Sequence, residues 1–249
     1  MIDTHAHLYL CQRPIEELVQ NAIAAGVKKI VNVALDISTS ETCLTIHQKY
    51  PHIYPTTGLY PGEPYTDSTF DEIEKKIKQG PFIALGEIGL DYFKMRSSKA
   101  HQRQAFIRQL ELARDYEMPV IIHNRHTEED MIEIISQFPT VKKVFHCFGS
   151  HADFIEKIDA PTTYYSFTGT ITYAKKGKTI SAIQKIPLEK MMVETDCPYL
   201  TPRIHKGQEN QPAFVTDIAK RIADIKNVSV DQVNRLTTQT AEQFFKWSG

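Results

Sequence analysis

The chain of 249 residues carries 29 Lys+Arg against 30 Asp+Glu, a formal net charge of −1, with 41% hydrophobic and 24% charged residues. That composition excludes a disordered chain, and no apolar stretch reaches the roughly 18 residues a membrane span needs. Near-neutral charge gives no broad attraction to nucleic acid, so any phosphate binding must come from local basic groups. Cys11, Cys43, Cys147 and Cys197 lie far apart with no C-x-x-C pair, and the opening Met1-Ile2-Asp3-Thr4-His5-Ala6-His7 lacks a basic run. These features predict a reducing, cytoplasmic setting without a secretory signal. No repeat, low-complexity tract or Gly/Ser linker interrupts residues 1–249, which predicts a single domain with no obligate protein partner evident.

In chain order, short apolar runs alternate with amphipathic stretches. A strand over 2–8 precedes a helix over 15–25 that Gly26 should stop; a strand over 29–35 precedes a helix over 39–50. A strand over 53–59 precedes a helix over 70–79 ended by Gly80, then come a strand over 82–87 and a helix over 99–116. Pro119-Val120-Ile121-Ile122 begins a strand over 119–123, as continuous in its hydrophobicity as a parallel strand buried on both faces. A helix over 128–138 follows, then strands over 143–146, 163–168 and 190–195. The long loop 197–212 has the length of a functional loop, and helices over 213–226 and 230–247 close the chain. Eight strands alternating with helices predict an α/β fold, a TIM-like (β/α)8 barrel, with an open doubly wound sheet as the rival.

Barrel enzymes build their sites at the C-terminal ends of strands, and there the polar residues collect. His5 and His7 end the first strand on one side of it, Glu87 ends the fourth, His123 the fifth, His146 the sixth, and Asp196 follows the eighth. Four of the ten histidines and two carboxylates at such positions are costly to bury unless paired or bound to metal. Six nitrogen and oxygen ligands exceed the need of one tetrahedral Zn²⁺ and suit two divalent cations bridged by Glu87. His5, His7 and Asp196 are expected on one metal, and His123 and His146 on the other. The donor set admits Zn, Mn, Mg, Co or Ni. Asp91 and Glu194 are expected to orient ligands.

The segments "DTHAHL", "GEIGLDYF", "PVIIHNR", "FHCF" and "ETDCPYL", in that order and followed by "NQP" and two helices, resemble the TatD family of metal-dependent hydrolases. The resemblance runs the full length. It implies a TIM-like barrel, a one- or two-metal centre and phosphodiester hydrolysis, often as a deoxyribonuclease of 3′-exonuclease type. The family's ligands fall on the same six residues. Three departures stand out. Tyr60 occupies the histidine position of a Gly-x-His-Pro segment. The basic loop of relatives reads Lys206-Gly207-Gln208-Glu209-Asn210-Gln211-Pro212, where Glu209 should repel phosphate. Cys147-Phe148-Gly149-Ser150 replaces Cys-Phe-Ser-Gly.

The expected reaction is hydrolysis of DNA or another phosphodiester by hydroxide generated at the metals, with Asp196 orienting the water and taking its proton. Glu87 should hold the metals together. Arg125, two residues past His123, is the first candidate for phosphate, since guanidinium matches it bidentately. Lys206 and His205 in the long loop and the Tyr60 hydroxyl complete the expected substrate contacts, with Lys94, Arg96 and Arg203 as further cations. Tyr60, Tyr92, Phe93 and Phe148 are candidates for base stacking. The alternative is an amide or ester hydrolase, a deacylase or lactonase acting on a small or aminoacyl substrate with the same metals.

Overall fold

The computed structural model describes residues 1–247. Its elements are β1 (Ile2–Ala6), α1 (Ile15–Ala24), β2 (Lys29–Asn32), α2 (Ile37–Lys49), β3 (Ile53–Pro55), α3 (Asp67–Gln79), β4 (Leu85–Asp91), α4 (Lys99–Asp115) and β5 (Val120–Arg125), then α5 (Glu128–Ile135), β6 (Lys143–Phe145), α6 (Ala152–Ile158), β7 (Thr163–Phe167), α7 (Lys178–Lys185), β8 (Met191–Val193), α8 (Val215–Lys226) and α9 (Val230–Phe244). All eight expected strands are present among the described residues, and the chain gathers into two compact units.

The first unit comprises Met1–Asn32, Cys147–Glu156 and the stretch from Tyr164 onward. β1 pairs in parallel with β2, and β7 with β8. A parallel bridge from Ala6 to Cys197 joins the continuation of β8 to β1, giving the order β7-β8-β1-β2. α8 packs on β8, and α9 packs on both β8 and β1. Ile218, Ala219, Ile222 and Ala223 on α8 are buried, the stripe that a 3.6-residue period puts on one face. Asn227 ends α8 in the left-handed conformation, and the Ser229 hydroxyl caps α9 by accepting from the Gln232 amide.

The second unit holds Val33–His146 and Lys157–Thr163. β4, β5 and β6 pair in parallel, and a bridge from Thr57 to Leu85 adds the segment after β3. Val120, Ile121 and Ile122 are all buried, as that continuous apolar run requires. α4, capped at Ser98, buries Phe106, Leu110 and Ala113 together with two amides, Gln102 and Gln109.

The structure moves two strand ends. β4 and β5 were expected to stop at Glu87 and His123, but their ladder continues through Leu90↔Asn124 to Asp91↔Arg125. Polar side chains do not end a ladder whose backbone groups still find partners. Glu87 instead lies in an irregular stretch of β4, where two residues between Leu85 and Ile88 oppose the single residue between Val120 and Ile122 on β5. A bulge of this kind re-aims a side chain. Its amide donates to Ala34 O at 2.8 Å, so the irregular backbone is satisfied. Gly89 lies beyond it with φ 136°, and a Cβ there would sit 2.1 Å from the His123 carbonyl oxygen. Only glycine lets β4 approach the His123 backbone that closely.

Candidate metal centre

In the first unit, β1 supplies His5, His7 follows it, and Asp196 comes just after β8. The two Nε2 atoms face each other at 3.2 Å, and Asp196 Oδ1 lies 3.6 Å from the first and 3.5 Å from the second. His5 is fully buried and His7 nearly so. Asp196 has φ 56°, a left-handed conformation that Asp tolerates better than most residues, and its amide donates to His5 O at 2.8 Å. Thus β8 delivers its carboxylate beside both imidazoles. Glu194 is buried; it accepts from the Cys147 amide at 2.6 Å and has an oxygen within 4.8 Å of a His5 ring nitrogen.

In the second unit, Glu87 Oε1 lies 2.7 Å from His123 Nδ1 and 2.9 Å from His146 Nε2. The other ring nitrogen of His123, Nε2, lies 3.1 Å from Asp91 Oδ2 and 3.3 Å from the Tyr60 hydroxyl. Burial pushes the Glu87 carboxyl up, but the two histidines beside it outweigh that and hold it well below the usual range. Burial pushes His123 down, yet hydrogen bonding to Asp91 and Glu87 leaves it raised overall. Asp91 is likewise held below its ordinary value, since His123 and the amides of Lys94 and Phe93 overcome burial. A buried carboxylate between two imidazoles, with the Asp91 carboxylate behind one of them, is the donor chemistry a divalent cation takes. Glu87, His123 and His146 have ligand atoms all within 4.8 Å of one another and can hold one.

The other nominated residues fall as follows. Tyr60 is buried; its hydroxyl donates to Asp91 Oδ2 at 3.4 Å, and burial followed by the charges of Glu87 and Asp91 pushes its pKa up, so it stays protonated. Arg125 lies with its guanidinium carbon 3.9 Å from the Phe93 ring centroid. Lys206 and Arg203 are exposed, whereas His205 stacks on Phe214 at 3.6 Å and meets Asp217 Oδ2 at 3.0 Å. Arg96 pairs with Glu63 at 2.6 Å, and Lys94 is exposed.

Three expectations change. Phe148 is 4% exposed and packs against Phe154 and Tyr165, a core residue with no face for a base. Tyr92 donates its hydroxyl to Asp130 at 2.5 Å and has Lys99 over its ring, so it too is occupied. Glu209 accepts from the amides of Gln12 at 2.7 Å and Arg13 at 3.3 Å, so part of the charge expected to repel phosphate is spent on backbone donors.

Three supports escaped the sequence reading. Gln102 brackets Asp91, accepting from its amide at 2.8 Å and donating to its carbonyl at 3.0 Å; Gln109 does the same to Leu59 at 2.7 and 3.2 Å. Amides seven residues apart on the apolar face of α4 were the available signal. Asp3, fully buried, accepts from the Thr195 hydroxyl and amide at 2.6 and 2.9 Å. Burial pushes its carboxyl up to about 8.

Comparison with known proteins identifies the family. The family model for TatD related DNase matches residues 2–246. The chain is 32% identical over 252 residues to the uncharacterized metal-dependent hydrolase YabD of Bacillus subtilis, covering 99% of each. It is 30% identical over 219 residues to a protein of Escherichia fergusonii named 3′-5′ ssDNA/RNA exonuclease TatD, covering 84% of each. The crystal structure of YjjV, a TatD homologue from Escherichia coli, superposes with a TM-score of 0.92 at 27% identity, over 100% of this chain and 98% of that one. That match bears out the TIM-like α/β class. The chain belongs to the TatD related DNase family of metal-dependent hydrolases.

Proposed function

We propose that this hydrolase cleaves phosphodiester bonds in nucleic acid, as a deoxyribonuclease of 3′-exonuclease type, with residues 1–249 acting as a single domain. The observation that carries this reading is the buried carboxylate Glu87 set between His123 and His146, in a chain whose five motifs occur in family order. The relative named as an exonuclease supports the substrate class. Two divalent cations per chain are assigned, one to His5, His7 and Asp196 and one to Glu87, His123 and His146. Their identity is drawn from Zn, Mn, Mg, Co and Ni. Such cations lower the pKa of water and polarise phosphoryl oxygen.

The protein's own groups divide the remaining work. Asp196, 13% exposed at its side chain, is placed to orient water and accept its proton, while Glu87, 4% exposed and engaged by two imidazoles, holds ligands in register. Asp91 and the protonated Tyr60 hydroxyl fix the ring of His123. Arg125 and Lys206 meet substrate phosphate directly. Tyr60 and His205 meet substrate from positions already fixed by Asp91 and Asp217.

A cleavage assay with Mg²⁺, Mn²⁺, Zn²⁺ and Co²⁺, on single-stranded DNA, RNA and small ester and amide substrates, tests this reading. At least one metal should support oligonucleotide cleavage, and His123→Ala should lower it about 100-fold or more. Ester or amide turnover without phosphodiester cleavage would transfer the assignment to a deacylase or lactonase.

A further inference from the structure

The loop after β4 places an aromatic ring where the apolar core cannot use it. Phe93 is 58% exposed, yet the Arg125 guanidinium lies 3.9 Å from its centroid and the His126 ring packs edge-on at 5.4 Å. Among the described residues no carboxylate, carbonyl or hydroxyl takes a hydrogen bond from that guanidinium, although it offers five N–H donors. Backbone contacts hold the two segments that carry the pair. The Phe93 and Lys94 amides both donate to Asp91 Oδ1 at 2.9 Å, while Asp91 Oδ2 faces His123. The Tyr92 amide donates to Arg125 O at 2.9 Å. Arg125 follows His123 by two residues on β5, so alternation puts both side chains on one face, about 7 Å apart along the strand.

We infer that Phe93 is the positioning residue for Arg125, holding an otherwise unpartnered guanidinium ready for a substrate phosphate next to the His123 cluster. A flexible arginine loses rotamer freedom on binding an anion, and a ring face that already carries its guanidinium removes part of that cost beforehand. The identity of the anion rests on the nuclease reading; the coupling of the two side chains does not.

A double-mutant cycle in binding tests the inference, with a fluorescein-labelled single-stranded oligonucleotide followed by anisotropy on metal-loaded protein. Arg125→Ala should weaken binding at least about tenfold. Phe93→Leu, which keeps bulk but not the π face, should weaken it roughly two- to fivefold, and Phe93→Trp should restore it. In turnover the Phe93→Leu loss should fall on KM rather than kcat. In the Arg125→Ala background, Phe93→Leu should change nothing further. An equal loss in both backgrounds would overturn the inference, because Phe93 would then be touching substrate itself. So would wild-type affinity in Phe93→Leu. If the wild type neither binds nor cleaves the oligonucleotide with any metal, the nuclease reading fails separately. The cycle is then run with inorganic phosphate, where loss of coupling overturns the pairing itself.

Discussion

Asp3 on β1 and Thr195 after β8 are joined by two hydrogen bonds, hydroxyl to Oδ2 at 2.6 Å and amide to Oδ1 at 2.9 Å, both fully buried. Thr195 is anchored in turn, since its carbonyl accepts from Asn210 Nδ2 at 2.8 Å. The pair therefore fixes His5, two residues from Asp3, against Asp196, one residue from Thr195. Asp3→Ala would leave two buried donors without an acceptor and should cost about 2–4 kcal/mol in urea unfolding. Asp3→Asn keeps a carbonyl acceptor and should recover at least half of that. A change below about 0.5 kcal/mol for Asp3→Ala would show that the strands are registered by other contacts.

Metal uptake should release protons. His123 is raised above its ordinary value by the Asp91 and Glu87 carboxylates, despite burial, so the metal-free protein keeps a proton there to higher pH than an ordinary histidine would, and a ligand must lose it. Metal affinity should therefore fall as pH drops from 8 to 6, more steeply than for an unperturbed histidine. Titration calorimetry in buffers of different ionisation enthalpy measures the protons released per metal. Asp91→Asn should reduce that number, and a pH-independent affinity would contradict the assignment.

Lys143 is a buried cation outside the site. It is 2% exposed, its ammonium meets Thr162 Oγ1 at 3.2 Å and no carboxylate among the described residues, and burial pushes its pKa down to about 8. Because the folded-state value is lowered, the charged form is penalised, and stability is regained as pH rises from about 8 toward the unfolded value. Lys143→Met should stabilise the protein at pH 7 by about 1–3 kcal/mol. That advantage should shrink between pH 8 and 10.5 in paired thermal or urea melts.

Neutralising Glu209 is expected to disappoint as a way to strengthen nuclease activity. Its carboxylate accepts from the backbone of Gln12 and Arg13, so Glu209→Gln loosens the loop carrying Lys206 while removing a charge already engaged. Cleavage of polynucleotide should change by less than about threefold, with stability lowered by about 0.5–1.5 kcal/mol. A gain of tenfold in kcat/KM would restore the repulsive role.

Much of the molecule was legible in one dimension because it rests on local rules. Continuous apolar runs and period-3.6 stripes located eight strands and the main helices, and Gly26 and Gly80 marked two helix ends. The six proposed ligands were found because imidazoles and carboxylates next to apolar strands are too costly to be accidental. What sequence could not supply is which polar atoms meet. Glu87 seemed a strand end, yet it lies inside a bulged stretch of β4 that depends on how β5 pairs with it. Tyr92, Phe148 and Glu209 read as functional candidates until their partners appeared from elsewhere in the chain. Asp3, Gln102 and Gln109 read as unremarkable polar residues until burial gave each a carbonyl, amide or hydroxyl to satisfy. Sequence alone determined the element types and the donor chemistry, since both follow from side-chain identity and spacing. Tertiary structure decided which donors converge and which charges are already spent, because those depend on contacts between residues as distant as Gln12 and Glu209, 197 positions apart.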